Sequence, residues 1–276
     1  MHPEIGDTRH WAQLELAARQ RKVKDRGVDR IALISDIHGN IPALEATLQD
    51  IKRRDAQRIF CLGDLVGKGP HSARAVDICR EKCDMTIKGN WDDFVLRETD
   101  NPTILWHQQR LGRERMDYLK TLPLTIEFYM SGRKVRLFHA SQEGIYHRVH
   151  MNDPTDKHLA MFTNTDFTGN AFEPDVVGYA DIHRVYLKSF QRKTLFNVGS
   201  VGNPLDLTLA SYAILEGEYG GRIDDTFSIQ LIRVPYDIEL AIGQARDEEM
   251  PDLEPYENEL RTARYRGAVS SIQEHG

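Results

Sequence analysis

Cysteine is scarce in this chain: three residues, Cys61, Cys79 and Cys83, among 276. An odd number with no paired C-x-x-C pattern excludes a disulfide scaffold and argues against a structural zinc site. Cys79 and Cys83 stand one helical turn apart, and all three read as reduced thiols of a cytoplasmic protein. Long apolar runs are also missing. Stretches such as Ile31–Ile34 are strand-sized, so no membrane span is expected. The opening Met1-His2-Pro3-Glu4 lacks the basic segment and apolar run of a secretory leader. There is no surplus of basic charge. With 36 Lys and Arg against 42 Asp and Glu, the net charge is −6, which argues against general nucleic-acid binding. No repeat, low-complexity tract or Gly/Pro/Ser linker divides the chain.

What is present is a globular composition, 40% hydrophobic and 28% charged, enough to build a sizeable core. Residues 1–29 read as an N-terminal helical extension ahead of one domain over residues 30–276. Strand and helix signals then alternate: strand Ile31–Ser35, helix Pro42–Arg54, strand Ile59–Leu62, helix Ala73–Arg80, strand Met85–Ile87. This order predicts a parallel sheet covered by helices on both faces. A helical insert follows at about residues 93–122. Strands Thr125–Met130 and Val135–Phe138 read as a hairpin through Ser131-Gly132. A helix near Thr155–Asn164 and short strands to Val234 come next, then two charged helices.

The polar residues fall where strands end. Asp36-Ile37-His38 follows the first strand, Gly63-Asp64 the second and Gly89-Asn90-Trp91-Asp92 the third. His139 follows Phe138, and Asp181-Ile182-His183 follows Val176-Val177. Ligands of open parallel α/β sheets bind outside the carboxyl ends of strands, so these loops are expected to converge. Asp, His and Asn together suit Mn²⁺, Fe or Zn²⁺; oxygen ligands alone would suit Mg²⁺. Asp36, His38, Asp64, Asn90, His139, Asp181 and His183 are too many for one tetrahedral ion. They suit two ions roughly 3.5–4 Å apart, the arrangement that serves phosphoester hydrolysis.

These motifs, taken in order from Ile31 to Asp206, resemble those of the calcineurin-like metallophosphoesterases: D-x-H, G-D, G-N-H-[DE], H and G-H-x-H. The segment Asn197-Val198-Gly199-Ser200-Val201-Gly202-Asn203-Pro204 is similar to N-P-G-S-V-G-x-P of the bacterial branch related to diadenosine tetraphosphatases and small phosphodiesterases. The resemblance implies an α/β/β/α sandwich with a helical insert. It implies that Asp36, His38 and His183 hold one metal, that Asp64 bridges two, and that Asn90 and His139 hold the second. Aligned from Tyr179, Asp181 stands where a histidine is usual; aligned from Gly178, Asp181 would instead match the final histidine. Trp91 replaces the histidine of G-N-H-[DE], and an indole donates a hydrogen bond but does no acid–base work.

The expected chemistry is attack on phosphorus by a hydroxide activated between two divalent ions, Mn²⁺ first, with Fe, Zn²⁺ or Mg²⁺ as alternatives. Asn90 and His139 are the expected catalytic residues. Trp91, His147, Arg148 and Lys68 are expected around the substrate, a phosphoester that includes nucleotides among its options. Asp92 and Ser141 are expected to orient ligands, and Arg97 is a weaker phosphate contact. The competing reading is a metal- and nucleotide-binding regulatory protein with weakened chemistry. Oligomeric state is not legible in the sequence.

Overall fold

The computed structural model describes residues 28–267. The extension expected over residues 1–29 therefore lies, except for Val28 and Asp29, outside the described residues. Asp29 already belongs to the first strand.

Five strands form the first sheet: β1 (Asp29–Ile34), β2 (Arg58–Cys61), β3 (Met85–Thr86), β9 (Ala210–Gly217) and β10 (Ser228–Val234). Their order is β10-β9-β1-β2-β3. β1, β2 and β3 run parallel; β9 joins β1 antiparallel, with β10 antiparallel to β9. The second sheet holds β4 (Thr125–Met130), β5 (Arg133–Phe138), β6 (Val176–Tyr179), β7 (Val185–Phe190) and β8 (Lys193–Val198), in the order β4-β5-β6-β8-β7. The hairpin through Ser131-Gly132 forms as expected, with both residues at positive φ (47° and 78°), the twist a two-residue turn requires.

Seven helices lie among the described residues: α1 (Ile41–Arg53), α2 (Ser72–Lys82), α3 (Asn90–Phe94), α4 (Pro102–Thr121), α5 (Thr155–Ala160), α6 (Ile238–Asp247) and α7 (Leu253–Thr262). α1 starts where Asn40 caps the Ala43 N–H, has Pro42 in its first turn and ends on Lys52 and Arg53. The insert is not one helix. It divides into α3 and α4, and α4 is broken at Gly112 (φ 70°). No helix among the described residues is long and apolar enough to cross a membrane.

The alternation along β1 shows how the layers pack. Ala32 and Ile34 join Leu44, Ile51 and Val76 beneath the helices, whereas Ile31 and Leu33 join Phe128, Leu137 and Phe196 of the second sheet. The first sheet thus carries helices on one face only; the second sheet covers the other. This corrects the expectation of helices on both faces. The physical reason is that β1's second face finds a partner sheet, built by strands more than ninety residues downstream, which alternation alone cannot reveal. The outer face of the second sheet is closed by α5 and the loops around it, through Val149, Met161 and Phe162. The architecture is the α/β/β/α sandwich.

Candidate metal centre

The loops after β1, β2, β3, β5 and β6 meet at one edge of the sandwich. Their backbones are bonded together: Asp36 N to Gly63 O at 2.9 Å, His38 N to Asp64 O at 3.0 Å, Ala180 N to His139 O at 2.9 Å. Five of the seven expected ligands sit at positive φ: Asp36 (51°), His38 (48°), Asp64 (55°), Asp181 (62°) and His183 (56°). Such strain persists only where surrounding structure imposes it, and it clusters at functional sites. At Asp64 the constraint comes from Asp92. Its buried carboxylate accepts the N–H groups of Asp64 (2.7 Å), Leu65 (3.0 Å) and Gly89 (2.9 Å), as expected of a residue that orients ligands.

Each of three histidines turns Nδ1 to a backbone carbonyl: His38 to Val66 at 2.9 Å, His139 to Leu62 at 2.8 Å, His183 to Asn203 at 2.5 Å. A ring that donates from Nδ1 presents a lone pair at Nε2 when neutral. His38 Nε2 and His183 Nε2 then face each other at 3.2 Å as two acceptors. His183 Nε2 is also 3.1 Å from Asp36 Oδ1. Both Asp36 oxygens are buried with no hydrogen-bond donor. Nearly all buried polar atoms in folded proteins have partners, so this convergence of acceptors calls for a cation. Asp36, His38 and His183 form one group able to hold an ion; Asp36, Asp64 and His139 form a second. Asp64 reaches both sides, with Oδ2 3.6 Å from His38 Nε2 and Oδ1 3.5 Å from His139 Nε2. The residues present fit divalent cations.

The electrostatics agree. Burial pushes Asp64 above the usual carboxylate range, and the Asp36 charge adds to it. Burial also works against a charge on His139, yet Asp64, Asp36 and Asp181 outweigh it and raise that imidazole well above its ordinary value. Burial, with His183 and Lys68 nearby, pushes His38 well below.

Asp181 sits on the His139 side. Its Oδ1 is 3.8 Å from His139 Nε2, and it accepts from Asn90 Nδ2 at 2.6 Å. His183 is the residue beside Asp36 and His38, the placement required when the last motif is read from Tyr179. Arg148 forks onto Asp181, Nε to Oδ2 at 2.7 Å and Nη2 to Oδ1 at 2.8 Å. The Trp91 backbone N–H donates to Asp64 Oδ1 at 2.8 Å, and its ring lies edge-on to His38.

A cavity of about 580 Å³ opens from this cluster, lined by Trp91, Lys68 and Arg148 among others. His147 is not brought to it. Its Nδ1 meets Ser141 Oγ at 2.9 Å, and it faces a separate shallow hollow with Glu143 and Tyr146. Ser141 therefore serves His147 and the Glu143 N–H, and Arg97 pairs with Asp93 at 2.8 Å.

Sequence reading missed the C-terminal contribution. Arg266 and Tyr265 line the cavity, together with Arg184. Glu259 of α7, fully buried, accepts from Arg266 N (3.0 Å), Nε (2.9 Å) and Nη2 (2.9 Å) and from Asn203 Nδ2 (3.1 Å). Lys68 Nζ donates to Asn203 Oδ1 at 2.8 Å. Asn203 in turn holds His183 through its carbonyl, so α7 is coupled to the cluster. The available signal was the interleaving of basic and aromatic residues in Arg264-Tyr265-Arg266.

Burial opposes ionisation of Glu259, but Arg266 and Lys68 outweigh it and hold the carboxyl below its ordinary 4.5. A depressed carboxylate contributes stability above its unfolded pKa and loses it as pH falls below that value. Glu259→Gln is therefore expected to cost about 3 kcal/mol near pH 7, the scale of breaking a buried ion pair. The gap to wild type should close as pH falls below 4.5. Urea unfolding at several pH values checks this; a gap that is constant with pH would show that shape, not charge, matters at Glu259.

Residues 30–220 match the Calcineurin-like phosphoesterase superfamily domain. An uncharacterized protein of Methanocaldococcus jannaschii, MJ0912, is 33% identical over 236 residues, covering 80% of this chain and 94% of that protein. A metallophosphoesterase from Sphaerobacter thermophilus superposes with a TM-score of 0.69 at 23% identity, over 86% of this chain and all (100%) of that one. The hypothetical protein PH1004 of Pyrococcus horikoshii gives 0.68 at 18% identity, over 87% of this chain and 99% of its own. The two structures share the fold described above. With the domain match spanning most of the chain and its motif residues gathered at one edge of the sandwich, the protein belongs to the calcineurin-like phosphoesterase superfamily.

Proposed function

We propose that the chain is a metal-dependent phosphoester hydrolase acting on phosphodiesters or dinucleoside polyphosphates. The observation that supports this best is the buried, donor-free meeting of Asp36, His38 and His183 beside Asp64 and His139. In this reading Asp36, His38 and His183 would hold one divalent ion, and His139 and Asn90 a second, with Asp64 placed to contribute to either group. A half-turn of the Asn90 amide exchanges Nδ2 for its oxygen. Manganese is the proposed metal, with iron, zinc or magnesium as alternatives. Bound there, the ions supply Lewis acidity to a phosphoryl oxygen and to the attacking water.

The chain's own residues supply position and charge. Arg148 engages both oxygens of Asp181; once the Asn90 amide is turned for ligation its bond to Asp181 is released, so Asp181 Oδ1, 3.8 Å from His139 Nε2, would join Asn90 and His139 around the second ion while Asp181 also orients Arg148. Arg148, anchored this way, keeps its side chain half-exposed at the cavity and is placed to take up phosphoryl charge. Trp91 cannot release a proton to a leaving group. Substrates whose leaving group departs as a stable anion, such as a nucleotide phosphate, suit that lack.

Trp91 also favours the second reading, a metal- and nucleotide-binding protein without turnover. The test is hydrolysis by Mn²⁺-loaded protein of diadenosine tetraphosphate, bis-p-nitrophenyl phosphate and p-nitrophenyl phosphate, with Asp64→Ala as blank. Turnover of the first two above the monoester, lost in EDTA and restored by Mn²⁺, is expected. No turnover above the blank with metal shown to be bound would leave the binding reading.

A further inference from the structure

The cavity is larger than the metal cluster requires. About 580 Å³ is within the range of sites for nucleotide-sized ligands and exceeds what one phosphoryl group fills. Its charges are also segregated. The carboxylates in its lining, Asp64 and Asp181, belong to the cluster; the remaining charged residues are Lys68, Arg148, Arg184 and Arg266, all basic or guanidinium groups. Three of these are committed: Arg148 to Asp181, Arg266 to Glu259, and Lys68 to Asn203 and Glu259. Arg184 is exposed and forms no ion pair among the described residues.

An aromatic ring stands beside these cations. Tyr265 lines the same cavity with the Lys68 ammonium 5.6 Å from its centroid. It is carried on a segment that is tied down. α7 stops at Ala263 in the left-handed region (φ 53°), and the next turn is locked by the Arg266 backbone and guanidinium on buried Glu259. Three of the four hydrogen bonds on the buried Glu259 carboxylate come from Arg266, the residue after Tyr265. This anchor holds Tyr265 in the cavity lining.

We infer that Arg184 and Tyr265 form a subsite for the part of the substrate beyond the scissile phosphoryl group, an anion joined to a flat ring, the chemistry of a nucleoside phosphate. This rests on the phosphoester reading above and names its substrate class. Arg184 pairs the distal phosphate, and Tyr265 gives the base a face to stack on, which tolerates any base.

Isothermal titration of the Mn²⁺-loaded full chain with AMP, ribose 5-phosphate and inorganic phosphate tests it. AMP should bind about tenfold tighter than ribose 5-phosphate, the scale of one stacked base. Tyr265→Ala should erase that margin and Tyr265→Phe should keep it. Arg184→Ala should weaken AMP and ribose 5-phosphate in equal proportion. Tyr265 is 48% exposed, so its substitution should leave the thermal midpoint where it is. Equal wild-type affinity for AMP and ribose 5-phosphate, a margin that survives Tyr265→Ala, or no effect of Arg184→Ala overturns the subsite. Binding is read here without turnover. A protein that prefers AMP but hydrolyses no ester keeps the subsite and loses the reaction; one that hydrolyses bis-p-nitrophenyl phosphate without the preference does the reverse.

Discussion

Asp64→Asn is expected to lower kcat/KM on a phosphodiester by at least about a thousandfold, near 4 kcal/mol of transition-state stabilisation. On the proposed two-ion reading it should also reduce bound metal, from two ions per chain to one or none. The reason is geometric. Asp64 is the carboxylate that approaches both His38 (3.6 Å) and His139 (3.5 Å), so its charge serves both sides of the cluster. Asparagine keeps the shape and can still accept the Trp91 N–H, so the fold should survive. Burial and the neighbouring Asp36 already disfavour the Asp64 charge in the metal-free protein. The variant should therefore be as stable as wild type in EDTA, or more so. In Mn²⁺ the order should reverse, because wild type gains more binding energy, about 2.7 kcal/mol for each further ion at a hundred times its dissociation constant. Thermal melts with and without metal, beside metal analysis, read this without any assay of turnover. A variant that keeps two ions and its Mn²⁺-dependent stabilisation would remove Asp64 from the centre of the reading.

The candidate ligand loops were legible because each is local. Asp36 with His38, Gly63 with Asp64, and Gly89 with Asn90 follow short apolar strands directly, and strand ends are where α/β sheets place ligands. The Ser131-Gly132 turn likewise follows from residues within a few positions. What escaped depends on partners far apart in sequence. Arg148 and Asp181 meet across 33 residues, and Asn203 and Glu259 across 56. Nothing in the period of α7 marks Glu259 as buried; it reads as one more charge on a solvated face. His147 shows the converse error. Its neighbourhood in sequence, next to Arg148, suggested a shared role, yet adjacent residues in an extended loop point apart. Arg148 enters the cavity and His147 turns to Ser141.

The resemblance of residues 197–204 to a family segment carried no physical reason, and the structure supplies one that predicts the largest loss of stability. This loop is sewn to the Asp36 loop: Val201 N to Ser35 O at 3.0 Å, Gly202 N to Asp36 O at 2.9 Å, Ser200 Oγ to Asp36 O at 2.9 Å and Asn40 Nδ2 to Gly202 O at 2.8 Å. A Cβ at Gly202 would lie 1.8 Å from the Ile37 carbonyl oxygen. That oxygen cannot retreat, since the flanking Asp36 and His38 N–H groups are held by Gly63 and Asp64. Gly202→Ala should thus cost about 3 kcal/mol or more, through overpacking against backbone. It should also displace Asp36 and with it the metal. Gly243, in α6, supplies the contrast. Nothing lies within 4 Å of its added Cβ, and its backbone is helical. There the same substitution should stabilise by about 0.5–1 kcal/mol through helix propensity. Urea midpoints of the two variants should therefore move in opposite directions from wild type. A Gly202→Ala midpoint equal to wild type would mean that the two loops do not approach this closely. Asp36 would then be held by the first sheet alone.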